Sequence, residues 1–250
     1  MEILAIANQK GGVGKTTTAV NLAASLAAKK NQVLLIDLDP QGNATTGTGI
    51  EKRELAVTMA DILLDGVDIE QAIVQSPAGF AVIGANRDMS GIDISLMAKT
   101  DSHLLLRQAM QSLAGYDYVI IDCAPSLNLL TVNAMVATDG VIIPMQCEYY
   151  ALEGLADLSQ TIERLKELNP KLHIRGVVRT LFDARNTLAN DVSAELEAHF
   201  GELMYDTIIP RNVRLAEAPA HGLPVIAYEK YSKGSRAYQK LANEVMQQSR

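Results

Sequence analysis

The sequence predicts an α/β fold: a single doubly wound, mostly parallel sheet with helices on both faces. Three observations carry this. Short runs rich in Val, Ile and Leu recur along the chain, separated by stretches with helical periodicity. Several runs are continuously apolar, as parallel strands covered on both faces are. The composition suits such a core, because 48% of the 250 residues are hydrophobic although only three are Phe and none is Trp. That length suffices to bury one full core, and no break in composition marks a linker, so residues 1–250 are expected to form one domain.

The elements follow in order. ILAIA (3–7) opens the sheet, and after a Gly-rich turn residues 16–29 are amphipathic. VLLIDLD (33–39) runs into Pro40, which cannot continue a central strand. Residues 41–60, rich in Gly and Thr, are expected to be a mobile loop leading into a weak helix. FAVIGA (80–85), YVIID (118–122) and GVIIPM (140–145) are the next strands. Helical patterns at 152–168 and 188–200 flank IRGVVRT (174–180), and DTIIP (206–210) and PVIAY (224–228) complete the strand set. The tail YQKLANEVMQQSR places Leu241, Val245 and Met246 on one side and ends in polar residues, as a helix packed on the body does.

The net charge is −7, yet Pro210 to Arg250 carries seven Lys/Arg against three Asp/Glu. An acidic body with a basic end can bind a phosphate backbone through that end. No apolar run approaches the ~18 residues of a membrane span, and the chain enters its first strand without a signal peptide. Cys123 and Cys147, 24 residues apart, do not form a cluster-binding set and are expected to be buried thiols in a reducing compartment. The expected localisation is cytoplasmic.

Strand, Gly-rich loop and helix succeed one another at QKGGVGKTTTAVN (9–21). This is the context of a phosphate loop, Gly-x4-Gly-Lys-[Ser/Thr], with Gln9 where the pattern has glycine and a second lysine at Lys10. Gly11, Gly12, Val13 and Gly14 can turn backbone N–H groups onto phosphates, and the helix start at Thr16 and Thr17 adds its positive end. Lys15 is placed to bridge the β- and γ-phosphates, and the Thr16 hydroxyl to ligate Mg²⁺. YVIID presents Asp122 at a strand end, where a metal-side carboxylate belongs. Asp37 and Asp39 share a face by strand parity; one can orient a water while the other supports the phosphate loop, and spacing alone does not choose.

KGGVGKTTT (10–18), LLIDLDPQGNAT (34–45), YVIIDCAPS (118–126) and TIIPRNVRLAEAP (207–219) together resemble the ParA/MinD family of deviant Walker A phosphate-loop ATPases, above all its ParA (Soj) chromosome- and plasmid-partition branch. The similarity runs from Ile3 to about Tyr238. It implies a weak, partner-stimulated ATPase that uses ATP and Mg²⁺. It also implies that Lys10 reaches across a homodimer interface to the partner's ATP, so that dimerisation depends on the γ-phosphate. By the same resemblance Asp39 orients the attacking water, Asp37 supports the loop, Asp122 reaches Mg²⁺ through water, Pro210 and Asn212 hold adenine, and Glu148 and Tyr149 belong to the dimer face.

Three outputs compete for such a switch. The branch resemblance assigns Arg185 and Arg214 to sequence-independent binding of double-stranded DNA, with Lys230, Lys233, Arg236 and Lys240 extending the patch. Phosphate contacts of that kind need only charge and reach. A membrane output, as in the MinD branch, requires a basic amphipathic tail with bulky apolar residues, which the polar C-terminus lacks. A redox ATPase or metabolic phosphoryl transferase requires a cluster set or a substrate domain, and neither is visible; a ParA-like ATPase that positions a protein cargo is the remaining alternative. The resemblance therefore implies a nucleoid-associated partition ATPase working with a ParB-like (Spo0J-like) centromere-binding partner. No separate N-terminal DNA-binding domain is expected, since the sequence opens on its first strand.

Overall fold

A computed structural model describes residues 1–248. Its strands are β1 (Glu2–Ile6), β2 (Val33–Asp37), β3 (Ile73–Gln75), β4 (Ala81–Ile83), β5 (Tyr118–Asp122), β6 (Gly140–Gln146), β7 (His173–Phe182) and β8 (Met204–Pro210). They form one sheet in the order β3-β4-β2-β5-β1-β6-β7-β8. Every neighbouring pair is parallel except the short β3–β4 pair at one edge. The doubly wound, mostly parallel sheet is therefore present. VLLID and YVIID are buried along their whole length, which is why they read as unbroken apolar runs.

Alternation sorts the sheet's side chains into two cores. Leu4, Ile6, Leu35 and Ile120 face one layer, and Ala5, Ile36, Ile121 and Ile143 face the other. On the first face lie α1 (Lys15–Ala27) and, from the far end of the chain, a long helix, Lys233–Gln248. Tyr238, Leu241, Ala242 and Val245 of that long helix are buried there, so the tail packs on the body as its pattern predicts; Arg250 lies outside the described residues. The other face is covered by Met59–Asp65, Ile92–Met97 and Leu105–Ala109 and by Leu129–Ala137, Ala151–Leu165 and Thr187–Phe200.

Three expectations need correction. PVIAY is no strand: Val225–Tyr228 is a short helix that starts behind Pro224, whose fixed φ of −65° suits a helix entry. A four-residue apolar run fits one helical turn as well as a strand, and here only Val225 of it is deeply buried. Residues 41–60 lead into the expected helix at Met59–Asp65, but are not loop throughout, because Asn43–Gly47 forms a helical turn with Ala44 and Thr45 fully buried. Strand β2 ends at Asp37, two residues early, so Asp37 and Asp39 do not share a strand face. The antiparallel edge strand β3 has no counterpart among the sequence runs.

The registers bring the working ends together. Asp122 pairs with Ile6 on one side and Asp37 on the other, so the ends of β2, β5 and β1 lie side by side beneath the Gly-rich loop. Ligands in open α/β sheets bind beyond the carboxyl ends of the strands. Among the described residues no helix is long and apolar enough to cross a membrane.

Candidate active site

The loop after β1 is held from below and left open above. Asn8 donates its side-chain N–H to the Pro144 carbonyl at 2.8 Å and accepts from the Lys10 backbone N–H at 2.9 Å, fixing the loop to β6. The Val13 carbonyl accepts a hydrogen bond from the Thr180 hydroxyl of β7 at 2.7 Å. Gly12 and Gly14 have φ of +74° and +86°, which L side chains rarely adopt, and nothing stands within 4 Å of where a Cβ would lie on Gly11 or Gly12. Gly14 caps α1 without a side-chain acceptor and the first turn carries no acid, so the helix's N-terminal N–H groups have no internal anion.

The two lysines of the loop differ. Lys15 is 7% exposed and its ammonium spans the loop to the Lys10 carbonyl at 2.9 Å; burial pushes its pKa down, against the pull of Asp122. Lys10 instead turns out to the rim and pairs with Glu148, both about half exposed. Beside them the exposed rings of Tyr149 and Tyr150 meet edge to face at 5.0 Å between centroids.

Three acids stand at the strand ends. Asp122 is fully buried and neither carboxylate oxygen has a hydrogen-bond partner among the described residues. Burial, then the nearby Asp37, pushes its pKa well above the carboxylate range. The Thr16 hydroxyl stands near enough to offset part of that rise without completing a hydrogen bond. The Asp37 carboxylate accepts from the Asp39 N–H and from the Thr45 N–H and hydroxyl, so its hydrogen bonds brace the turn after β2. Burial outweighs those bonds and pushes it up to about 6. Asp39, 8% exposed, accepts from the Gln41 N–H at 2.9 Å.

A cleft of about 330 Å³ opens beside the loop between Gly14, Thr17, Thr180, Leu181, Asn212 and Tyr238. Asn212 accepts from the Arg214 N–H at 3.1 Å and so caps the helix Val213–Glu217 while facing the cleft. Pro210 ends β8 between Ile209 and Arg211, which both line this cleft, and itself lines a neighbouring groove of about 570 Å³ with Asp206, Lys233, Arg236, Lys240 and Glu244. Leu181, at φ +51°, holds a left-handed backbone at the cleft wall, a strained placement for a leucine. Leu181, Thr180, Tyr238 and Arg211 line the cleft without having been singled out from sequence; the only local signal was the position of Arg211 between Pro210 and Asn212.

The basic residues fall into two groups. Arg185 is 91% exposed and forks onto Asp183 at 2.7 and 2.9 Å, holding that carboxyl down at about 2. Arg214 pairs with Glu217 at 2.7 Å. Lys230 stands 6.0 Å from the Tyr231 ring, whereas Lys233 and Arg236 make no ion pair among the described residues.

The residues fit ATP and Mg²⁺. An orphaned buried carboxylate opposite a helix-start hydroxyl suits a hard cation that keeps its waters, and the open glycine cradle with a buried ammonium suits phosphates. This fold and site define a phosphate-loop nucleotide triphosphatase. Residues 1–174 match the family described as AAA domain. The chain is 50% identical over 255 residues to the chromosome partitioning protein ParA of Caulobacter vibrioides, covering 100% of this chain and 96% of that one. It is 49% identical over 247 residues to the sporulation initiation inhibitor protein Soj of Bacillus subtilis, covering 98% of each. Its fold matches a Mycobacterium smegmatis cobyrinic acid a,c-diamide synthase with bound ADP and magnesium at a TM-score of 0.85 and 35% identity, over 98% of this chain and 94% of that one. It also matches the Pyrococcus furiosus cell division ATPase MinD at 0.79 and 26%, over 98% of both. The chain belongs to the ParA/MinD family of ATPases, on its ParA (Soj) branch, and is an ATPase that uses ATP and Mg²⁺.

Proposed function

We propose that this ATPase is a dimerising partition switch: its ATP-bound homodimer binds DNA without sequence preference, and a ParB-like centromere-binding partner stimulates its weak hydrolysis and releases it. The observation that carries the reading is the division of labour between the two lysines. Lys15 lies inside its own loop, and Lys10 is turned to an exposed rim beside Tyr149 and Tyr150. A lysine that is not needed within its own loop is available to a second subunit, whose phosphates bring negative charge into the interface.

In this reading the N–H groups of Gly11, Gly12, Val13 and Gly14 with Lys15 hold the phosphates, Thr16 and Asp122 hold Mg²⁺, and Thr17 and Asn212 border the base and ribose. Bound Mg²⁺ supplies charge neutralisation at the transferring phosphoryl group. Asp39 orients the attacking water. Arg185 and Arg214 contact DNA phosphates, joined by Lys230, Lys233 and Arg236. Pro210 and Asn212 hold adenine, a reading supported by the place of Asn212 in the cleft and of Pro210 next to the cleft-lining Ile209 and Arg211. Such a protein works on the nucleoid in the cytoplasm.

Lys10→Ala tests the dimer. The variant is expected to bind ATP as a monomer and fail to dimerise with a slowly hydrolysed ATP analogue in size-exclusion chromatography. A dimer of normal affinity sinks the assignment.

A further inference from the structure

We propose that Thr45 is a positioning residue for ATP hydrolysis: through Asp37 and the end of β4 it fixes the turn that presents Asp39. The inference rests on the assignment of Asp39 as the water-orienting carboxylate.

Thr45 is fully buried. Its backbone N–H and its hydroxyl both donate to the same oxygen of Asp37, each at 2.8 Å. The other Asp37 oxygen accepts from the Asp39 N–H at 3.0 Å. One buried carboxylate thereby ties the first and last residues of the turn together. Within the turn, the Asp39 carbonyl accepts from Gly42 N–H at 2.8 Å, and its carboxylate is braced by Gln41 N–H.

The turn also rests on a template. The Thr45 hydroxyl accepts from the Ala85 N–H at 3.0 Å, just beyond β4. A Cβ on Gly42 would lie 2.5 Å from the Ala85 carbonyl oxygen, and one on Gly84 would lie 2.9 Å from the Thr45 methyl. The chain is closely packed at both points, so the turn cannot slide over the strand end without breaking the Thr45 link. Only a hydroxyl can give to Asp37 and accept from Ala85 at once. Valine has the same shape and can do neither, leaving the Ala85 N–H unsatisfied and Asp37 with one bond fewer at that oxygen. The Asp39 carboxylate then loses its fixed placement, and a misplacement of about 1 Å costs on the order of 100-fold in rate.

The experiment measures kcat, KM and ATP-analogue affinity for the full chain carrying Thr45→Val, Thr45→Ala, Thr45→Ser, Asp39→Ala, and Thr45→Val with Asp39→Ala, with melting curves confirming the fold. Thr45→Val is expected to lower kcat by about 10- to 100-fold with KM and affinity within about threefold of wild type. Thr45→Ala should behave likewise if the valine variant proves too unstable to assay. Thr45→Ser should restore turnover to within about threefold, and the double variant should be no slower than Asp39→Ala alone, since both act through one group. Wild-type turnover in Thr45→Val or Thr45→Ala beside an inactive Asp39→Ala, a matching loss of ATP affinity, failure of serine to rescue, or an additive double variant each overturns the proposal. Wild-type turnover in Asp39→Ala instead removes the Asp39 assignment on which it stands.

Discussion

Replacing Asp122 with asparagine should stabilise the ligand-free protein while weakening its use of Mg²⁺. The carboxylate is fully buried, and neither oxygen has a hydrogen-bond partner among the described residues. An unsatisfied buried polar group costs about 1–3 kcal/mol, and more when charged. The amide of Asp122→Asn keeps the shape and sheds the repulsion from Asp37, so a gain of about 1–2 kcal/mol is expected, offset in part by its own unpaired N–H groups. For a chain of this size that is a rise in Tm of roughly 2–8 °C. With Mg²⁺ and an ATP analogue the order should reverse, because wild type gains about 2.7 kcal/mol at ligand 100-fold above Kd and the variant gains less.

The pH dependence has a defined sign. A carboxyl that titrates near 3.8 when unfolded and well above that when folded leaves the native state holding more protons across the interval. Stability therefore falls as pH rises through that window. Asp37 adds the same trend from about 3.8 up to about 6. Asp122→Asn removes its own share and flattens the curve. The assay is thermal melting from pH 4 to 8, with and without Mg²⁺ and the analogue, and with the analogue plus a chelator. Destabilisation of the ligand-free variant, or an unchanged Mg²⁺ requirement, refutes the argument.

The loop clamp and the basic surface give further tests. Thr180→Val removes the bond to the Val13 carbonyl and should cost about 1 kcal/mol in stability, with weaker ATP binding by calorimetry; an unchanged affinity means the loop does not need the clamp. Arg185→Glu and Arg214→Glu should each abolish retention on random-sequence DNA in ATP while leaving the dimer intact, and normal retention in both removes the DNA surface. Asp183→Asn releases Arg185 from its fork and should raise DNA affinity by about 2- to 5-fold; weaker binding means Asp183 shapes the surface in another way.

What was legible in the sequence is what is local. The phosphate loop announces itself because strand, glycines, lysine and helix start are contiguous, and the buried strands because both faces are apolar at once. Asp37 and Asp39 do not share a strand face because parity assumes the strand runs on, whereas β2 ends at Asp37 and the chain turns over Thr45. PVIAY was misjudged because four apolar residues carry no period. The cleft beside the loop was legible only around Asn212: Thr180 and Tyr238 reach it from β7 and the C-terminal helix, and nothing in their neighbourhoods marks them. The partner of Lys10 lies 138 positions away, a pairing that only the sheet order brings about.

That pairing bears on why dimerisation should depend on ATP at all. In the proposed dimer, Lys10 leaves Glu148 for phosphates of the second subunit. The pair it leaves is about half exposed on each side, and such pairs contribute little because water screens them and two flexible chains must be held still. The pair it joins is desolvated and carries several charges, so the exchange is favourable only while those charges are present. Had Glu148 been buried, its loss of a partner would cancel the gain and the γ-phosphate would decide nothing. Glu148→Gln should therefore change ATP-dependent dimer affinity by less than about fivefold in sedimentation velocity, while Lys10→Ala removes it. A much larger effect of the glutamine assigns Glu148 a contact of its own across the interface, and the exchange argument then fails.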